Sequence, residues 1–335
     1  MTQAPLGDLP QVSVIMPVLN EERHLREAVL QILEQDYAGQ IEVVVAVGPS
    51  KDATMQVAQD LAAEFDTVHV VENPSGRTPA ALNAAIARAT GDVVVRVDGH
   101  ALVPRDYVKC GVQELKATGA DNVGGIMDAK GSTPFESAVA RAMTSRFGVG
   151  GAAFHVGGEA GPALTVYLGC FRATALARVG GYDETMERAQ DWEMNLRIRQ
   201  TGGIVWFTPQ MRVEYRPRAD VRALARQYHD YGRWRREVAR RHPDTVSLRY
   251  LAAPVAVMLV ALGLIGGVLG LGLGLPWLAI AGFAMPIGYL LANVLASITS
   301  AFSRPRLGLR SALALPIVYA TMHGAWGLGF LRGAA

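Results

Sequence analysis

The sequence predicts an α/β domain followed by a membrane-embedded helical region, and three observations predict it. Strand and helix signals alternate over the first 130 residues. No charged residue stands between positions 250 and 303. Charge is also unevenly divided: up to residue 249 there are 28 Lys and Arg against 30 Asp and Glu, and beyond it four arginines and no acid. The near-neutral total of +2 therefore joins an ordinary soluble part to an almost uncharged tail.

In the first part, residues 12–16 read as a buried strand and residues 21–35 have helical period. A continuous apolar strand at 41–47 precedes a helix at 52–65. A short strand at 68–72, a helix at 78–89, a strand at 92–98 and a helix at 104–118 complete the series. Apolar strands between helices predict a parallel sheet covered on both faces. In such sheets ligands bind beyond the carboxyl ends of the strands, so chemistry is expected in the loops after Met16, Val47 and Val97. Further on, residues 132–151 hold a helix signal and a Gly-rich turn. Residues 164–168 and 204–207 read as strands and 191–201 as a helix.

The uncharged run is long enough for two bilayer crossings of about 20 residues, with a break at Leu275-Pro276-Trp277. A third candidate, 311–331, follows a loop carrying Arg304, Arg306 and Arg310. A soluble hairpin would keep a polar face, and none is visible. Residues 216–249 hold ten arginines and four acids. Arginine favours the cytoplasmic side, which places the N-terminal domain inside and the C-terminus outside. The expected organisation is a cytoplasmic domain at 1–215, a basic juxtamembrane segment at 216–249, and a region at 250–335 with spans near 250–274, 276–300 and 311–331. The protein is then multi-pass in the inner or plasma membrane. The first dozen residues lack the regions of a signal peptide, so the spans are expected to deliver it. Cys110 and Cys170, the only cysteines, are expected as free thiols. Phe135, Ala138, Val139, Ala142, Met143 and Phe147 recur at helical spacing beside Arg141 and Arg146. That stripe suits the membrane surface or the soluble core equally.

Five segments can carry chemistry. Pro17-Val-Leu-Asn20-Glu21-Glu22 follows the first strand, where a dinucleotide enzyme would place glycines. Its acid and amide side chains can accept from a base or ribose, or simply cap a helix. Asp52 stands after the second strand, able to bond a nucleoside or to sit in a helix first turn. Asp98 and His100, two apart on a strand end, can reach one divalent ion bridging two phosphates, or His100 is a turn residue. Asp191, in Gln190-Asp191-Trp192, can be a general base or a helix-start acid. Arg233 beside Trp234 suits a phosphate or a stacked sugar, or belongs to a juxtamembrane belt.

Taken in order, these residues resemble glycosyltransferase family 2, with its GT-A fold, a Rossmann-like mixed sheet. Pro17-x-x-Asn20-Glu21 and Asp52-x-Thr54 match, as do Arg77 before a helix carrying Asn83, and Gly180-Gly181-Tyr182-Asp183. Asp98-x-His100 stands where most members have Asp-x-Asp, and Gln190-Asp191 where many have Glu-Asp. Thr133-Pro-Phe135, Phe147-Gly-Val-Gly-Gly151, Thr165-Val-Tyr-Leu-Gly169 and the C-terminal spans extend the resemblance to succinoglycan-type exopolysaccharide glucosyltransferases.

The resemblance implies that Pro17, Asn20, Glu21, Asp52, Arg77 and Asp98 hold the donor, that Asp98 and His100 hold the metal, and that Asp191 is the base. Gln190, Trp192, Arg233 and Trp234 are expected near the acceptor or a phosphate. The histidine in place of an acid favours Mn2+ over Mg2+, because imidazole suits later transition metals. The implied reaction moves a sugar, with inversion, from a nucleotide diphosphate sugar (UDP-glucose first) to a lipid-linked saccharide. Membrane lipids are expected partners and nucleic acid is not. A polyprenyl-phosphate sugar synthase and a processive synthase stand as alternatives. The latter would need oligomerisation, since three spans are too few for an exit pore. A non-catalytic scaffold that binds nucleotide sugars or lipid is the reading from another class.

Overall fold

The computed structural model describes residues 5–333, so positions 1–4 and 334–335 of the expected domain ranges lie outside the described residues. The chain forms two compact units. One comprises residues 1–128 and 153–215, the other 129–152 and 216–335.

In the first unit, β1 (Val12–Val18), β2 (Ile41–Val47), β3 (Val68–Glu72) and β4 (Val93–Arg96) are parallel neighbours in the order β3-β2-β1-β4. The helices α1 (Leu25–Leu33), α2 (Thr54–Glu64) and α3 (Thr78–Arg88) connect them. Val12, Val14, Ile15 and Met16 of β1 are fully buried, as a strand covered on both faces must be. Beyond β4 the sheet changes direction. β7 (Tyr167–Arg172) runs antiparallel to β4, and β5 (Asn122–Ala129), β8 (Val205–Tyr215) and the short β6 (Gly161–Pro162) follow. The sheet is thus mixed, and the all-parallel expectation holds only for its first half. β5 escaped the sequence reading because its Gly124-Gly125 pair weakens the strand signal. α4 (Tyr107–Thr118), α7 (Ala153–Val156), α8 (Ala173–Val179) and α9 (Gln190–Gln200) complete the unit.

The second unit gathers α5 (Pro134–Met143), α6 (Arg146–Val149), α10 (Val221–Arg241), α11 (Leu248–Gly272), α12 (Pro276–Phe302) and α13 (Leu309–Arg332). α11 and α12 are long and apolar enough to cross a membrane. They pair through small residues: a side chain at Gly282 would collide with the backbone of Gly263 and Gly267. Large side chains such as Leu262, Val268, Trp277 and Ile280 point outward, the arrangement expected where lipid is the solvent.

The helix at the third expected span differs from the other two. α13 is a helix of similar length but is not apolar enough to qualify, carrying Arg310, His323 and Arg332. Its course also differs. Asn293 Nδ2 of α12 donates to the Pro316 carbonyl at 3.1 Å, and the Ser300 and Tyr319 hydroxyls are 2.7 Å apart. Eleven residues beyond Pro316, Gly327 presses on Ala253 in the first turns of α11, where a Cβ would stand 2.8 Å from the Ala253 carbonyl oxygen. Those turns of α11 and that part of α12 form the same end of the hairpin. Over a stretch of about 16 Å, α13 therefore lies across the hairpin's open end and does not follow its axis.

α10 packs along α13, with Arg236 Nη1 donating to the carbonyls of Phe330 (3.1 Å) and Leu331 (2.7 Å). The amphipathic stretch expected at 135–147 joins this unit as α5 and α6. It buries Ala138, Val139, Ala142 and Met143, while Phe147 stays exposed. A capping box between Thr133 and Glu136 starts α5.

Candidate active site

Three loops beyond the carboxyl ends of β1, β2 and β4 hold Asn20, Glu21, Asp52, Asp98 and His100 of the expected residues. After Pro17 on β1, Asn20 adopts a left-handed backbone (φ 57°), which asparagine tolerates better than most residues. The helix consequently starts later than expected, at Leu25. Asn20 does not cap it. Instead its Oδ1 accepts from the Lys51 N–H at 2.7 Å, and its own N–H donates to the Ser50 hydroxyl at 3.0 Å. The Glu21 N–H donates to Thr54 Oγ1 at 2.7 Å, and the Ala53 N–H to the Glu22 carboxylate at 2.9 Å. Asp52 accepts from the Thr54 hydroxyl at 2.5 Å and from the Glu22 N–H at 3.3 Å. The Thr54 bond first, and the backbone bonds after it, hold the Asp52 carboxyl below its ordinary range. The first two loops are thus stitched together by the side chains expected to meet a nucleoside.

Arg77 precedes α3 and donates to the Glu184 carbonyl at 3.2 Å. Asn83, on α3, accepts from the Tyr182 N–H at 2.8 Å and donates to the Tyr182 carbonyl at 2.9 Å. This hook fixes the segment that leads into α9. Gly181 in that segment has φ 76°, and a Cβ there would stand 2.6 Å from Asn83 Oδ1, so glycine is required by both backbone and space.

Arg96, the last residue of β4, is 4% exposed. Its Nε donates to Asp98 Oδ1 at 3.0 Å and its Nη1 to Asp191 Oδ1 at 2.5 Å. One buried guanidinium therefore joins the strand-end acid to the expected base. Asp191 is the second residue of α9, which follows Ala189 in a left-handed conformation (φ 59°). Burial pushes the Asp191 carboxyl above its ordinary range; the Arg96 charge opposes this and the Asp98 charge adds to it. Burial opposes the Arg96 charge in turn, but the carboxylates of Asp191 and Asp98 hold it firmly in place. Tyr182 is buried beside them, its phenol pushed up by burial and then by Asp191. Gln190 is buried and Trp192 half-buried at the same helix start.

His100 Nδ1 lies 2.7 Å from Glu21 Oε1. The expected metal ligand is thus engaged by an expected donor-binding residue. For a divalent cation the chain offers the partly exposed Asp98 carboxylate and an imidazole braced by a carboxylate, an arrangement common behind metal-bound histidines. No group of three His, Cys, Asp or Glu forms a ready-made cage among the described residues. That donor set fits a cation that takes one or two protein ligands and completes its shell from phosphate oxygens. Arg233 and Trp234 lie on α10 in the second unit, where Arg233 Nε donates to the Gly333 carbonyl at 3.1 Å.

Sequence reasoning missed Arg96 and Tyr182. The signal for Arg96 was available: an arginine closing the otherwise apolar strand Val93-Val-Val-Arg96 must be buried and must find a partner. Tyr182 stood within the Gly180-Gly181-Tyr182-Asp183 match, but nothing there gave it a role.

The glycosyl transferase family 2 model matches residues 13–175. The chain is 32% identical to the succinoglycan biosynthesis protein ExoA of Rhizobium meliloti (strain 1021) over 324 residues, 95% of this chain and 93% of that protein. It is 25% identical to the dolichyl N-acetyl-alpha-D-glucosaminyl phosphate 3-beta-D-2,3-diacetamido-2,3-dideoxy-beta-D-glucuronosyltransferase of Methanococcus voltae, over 66% of this chain and 71% of that one. Among solved structures, the mannosyltransferase PcManGT from Pyrobaculum calidifontis, in complex with GDP-Man and Mn2+, aligns with a TM-score of 0.61 at 22% identity. The alignment covers 98% of this chain and 88% of that one. The expected family and the GT-A fold are both borne out.

Proposed function

The chain belongs to glycosyltransferase family 2, and from that premise we propose that its first unit transfers a sugar, with inversion, from a nucleotide diphosphate sugar to a lipid-linked saccharide. UDP-glucose is the first candidate donor, and exopolysaccharide or cell-envelope glycan synthesis is the setting. The bridge from Asp98 through buried Arg96 to Asp191 carries this reading. It sets a donor-side acid and a raised-pKa carboxylate on one rigid support at the ligand-binding edge of the sheet.

In this reading Asp191 takes the proton from the acceptor hydroxyl as its oxygen attacks the anomeric carbon. Attack comes from the face opposite the departing diphosphate. Burial makes Asp191 a stronger base than an exposed carboxylate, and Arg96 keeps it ionised and aimed. Asn20, Asp52 and Arg77 hold the nucleotide on the stitched loops. A divalent cation held by Asp98 and His100 would neutralise charge on the diphosphate, and its nitrogen ligand favours Mn2+. Positioning and charge stabilisation supply most of the acceleration. The arginine-rich flanks favour a membrane protein with its first unit in the cytoplasm. A reporter fused at the C-terminus reads the topology: an outside signal supports the three expected spans, and a cytoplasmic signal supports two.

Nucleotide release from candidate donors, with and without lipid extract, tests the reading. Asp191→Asn should lower transfer by about 10²–10⁴-fold while nucleotide binding survives. Transfer by wild type should fail on the acid side at a pH above the ordinary carboxylate range, because the raised pKa protonates the base early. Near-normal transfer by Asp191→Asn would refute the assignment.

A further inference from the structure

Several arginines of the second unit are held by hydrogen-bond acceptors of their own. Arg240 and Arg241 hold Glu237 at 2.7 and 2.6 Å. Arg233 and Arg236 donate to carbonyls at the end of α13. Arg235 and Arg249 are arranged differently. Arg235, on α10, is 7% exposed. Its guanidinium stacks on the Tyr250 ring at 3.7 Å from the centroid, and Nη2 donates to the Thr245 carbonyl at 2.6 Å. Arg249, on the first turn of α11 and exposed, faces the same ring at 4.7 Å and donates to the Tyr250 hydroxyl at 2.7 Å. Gly150, at φ 72°, leaves room for Arg249: a Cβ there would stand 2.5 Å from Arg249 Cδ.

Two guanidiniums thus share one tyrosine, and like charges held this close repel. Burial first, with the Arg249 charge behind it, pulls the Arg235 pKa down. The place is also telling. Tyr250 opens the run without charged residues, where the arginine-rich α10 gives way to the first apolar helix. In a bilayer that boundary lies at the depth of lipid phosphates.

We propose that Arg235 and Arg249, aligned on Tyr250, form a binding site for the phosphate of a membrane lipid. Guanidiniums match phosphate oxygens in geometry and charge, and an anion between the two relieves their repulsion. The phosphate can belong to a bulk phospholipid or to a polyprenyl-linked acceptor, and lipid binding at the site is measured without sugar transfer.

The test uses the full chain in neutral detergent, with lipid binding titrated by native mass spectrometry. The probes are dioleoylphosphatidylglycerol, a polyprenyl monophosphate and uncharged dioleoylglycerol. Arg249→Gln and Arg235→Gln should each weaken phosphate-lipid binding by about tenfold or more. Arg240→Gln, whose wild-type guanidinium is held by Glu237, should stay within about twofold. Loss confined to polyprenyl phosphate identifies an acceptor site, and equal loss of both phosphate lipids identifies a headgroup site. Wild-type binding by Arg249→Gln, equal loss in Arg240→Gln, or equal binding of dioleoylglycerol would each overturn the proposal. Arg249 is exposed, so its variant decides the matter if Arg235→Gln fails to fold.

Discussion

The two units carry opposite charge. The first holds 25 Asp and Glu against 15 Lys and Arg, and the second 17 Lys and Arg against 5 Asp and Glu. Two arginines, Arg96 in the first unit and Arg141 in the second, show what a guanidinium can face in each. In the first unit Arg96 faces carboxylates, and removing it leaves Asp98 and Asp191 as neighbouring negative charges. In the second, Arg141, Arg233 and Arg236 face carbonyl oxygens at helix ends, Arg141 reaching Ser300, Ser303 and Pro305 at and past the end of α12. A helix end leaves four carbonyls without partners, and beside a membrane water cannot be relied on to satisfy them. A guanidinium supplies several donors at once. The same side chain therefore sets ionisation at Arg96 and ends helices at Arg141.

The largest effect should come from breaking the carboxylate bridge. Arg96→Gln removes one partner from a buried ion network, which costs about 3–5 kcal/mol. Denaturation of the purified protein should show the first unit destabilised by about that much, with transfer lost as well. The two sites should also couple: Asp191→Asn should cost less transfer in the Arg96→Gln background than alone. Wild-type stability in Arg96→Gln would mean the bridge is incidental.

A smaller effect is expected at the corresponding arginine of the second unit. Arg141 Nη1 donates to the Ser300 carbonyl at 2.7 Å and to the Ser303 carbonyl at 3.0 Å. Hydrogen bonds to a charged group contribute about 1.5–3 kcal/mol, part of which water can replace. Arg141→Ala should lower stability in detergent by about 2 kcal/mol without changing donor affinity in the first unit. A variant that melts like wild type, or that loses donor binding, would break the contrast between bridging and capping arginines.

Much of this was legible in the sequence, for identifiable reasons. β2 and β3 were placed to the residue because their apolar runs are bounded by turns. The loops after β1, β2 and β4 were found because a strand-to-helix switch marks the binding edge. The later strands were obscured: β5 carries paired glycines, and β7 opens three residues after the expected start, its fourth residue Cys170 wholly buried. The course of α13 was not legible either. It is less apolar than α11 and α12, but composition does not tell a helix that runs along a hairpin from one that lies across its end. Only its partners, Asn293 and Ser300 near its middle and Ala253 near its end, reveal the difference. The Glu21–His100 pair was equally hidden, since 79 positions separate the two residues.

The smallest effect tests whether an acid in the basic unit behaves as carboxylates do in the first. Glu237 on α10 is 7% exposed. It accepts from Arg240 Nη2 at 2.7 Å and from Arg241 Nε at 2.6 Å, at i+3 and i+4 spacing. The Arg240 bond above all, with Arg241 behind it, pulls the Glu237 pKa down to about 2. The ordinary glutamate value is about 4.3. A depressed acid contributes stability that is fully present above its unfolded pKa and is lost as pH falls through its folded one. Here the loss should run from about pH 4 down to about pH 2. The magnitude is modest, because Arg240 stands in water and helix-surface pairs contribute well under 1 kcal/mol each. Glu237→Gln should therefore reduce hydrogen-exchange protection in the last turns of α10 by about fivefold or less at pH 6. At pH 2 the variant and wild type should exchange alike. A difference that persisted at pH 2 would show that Glu237 acts through packing or hydrogen bonding that survives protonation, and charge would then not explain its place among the arginines.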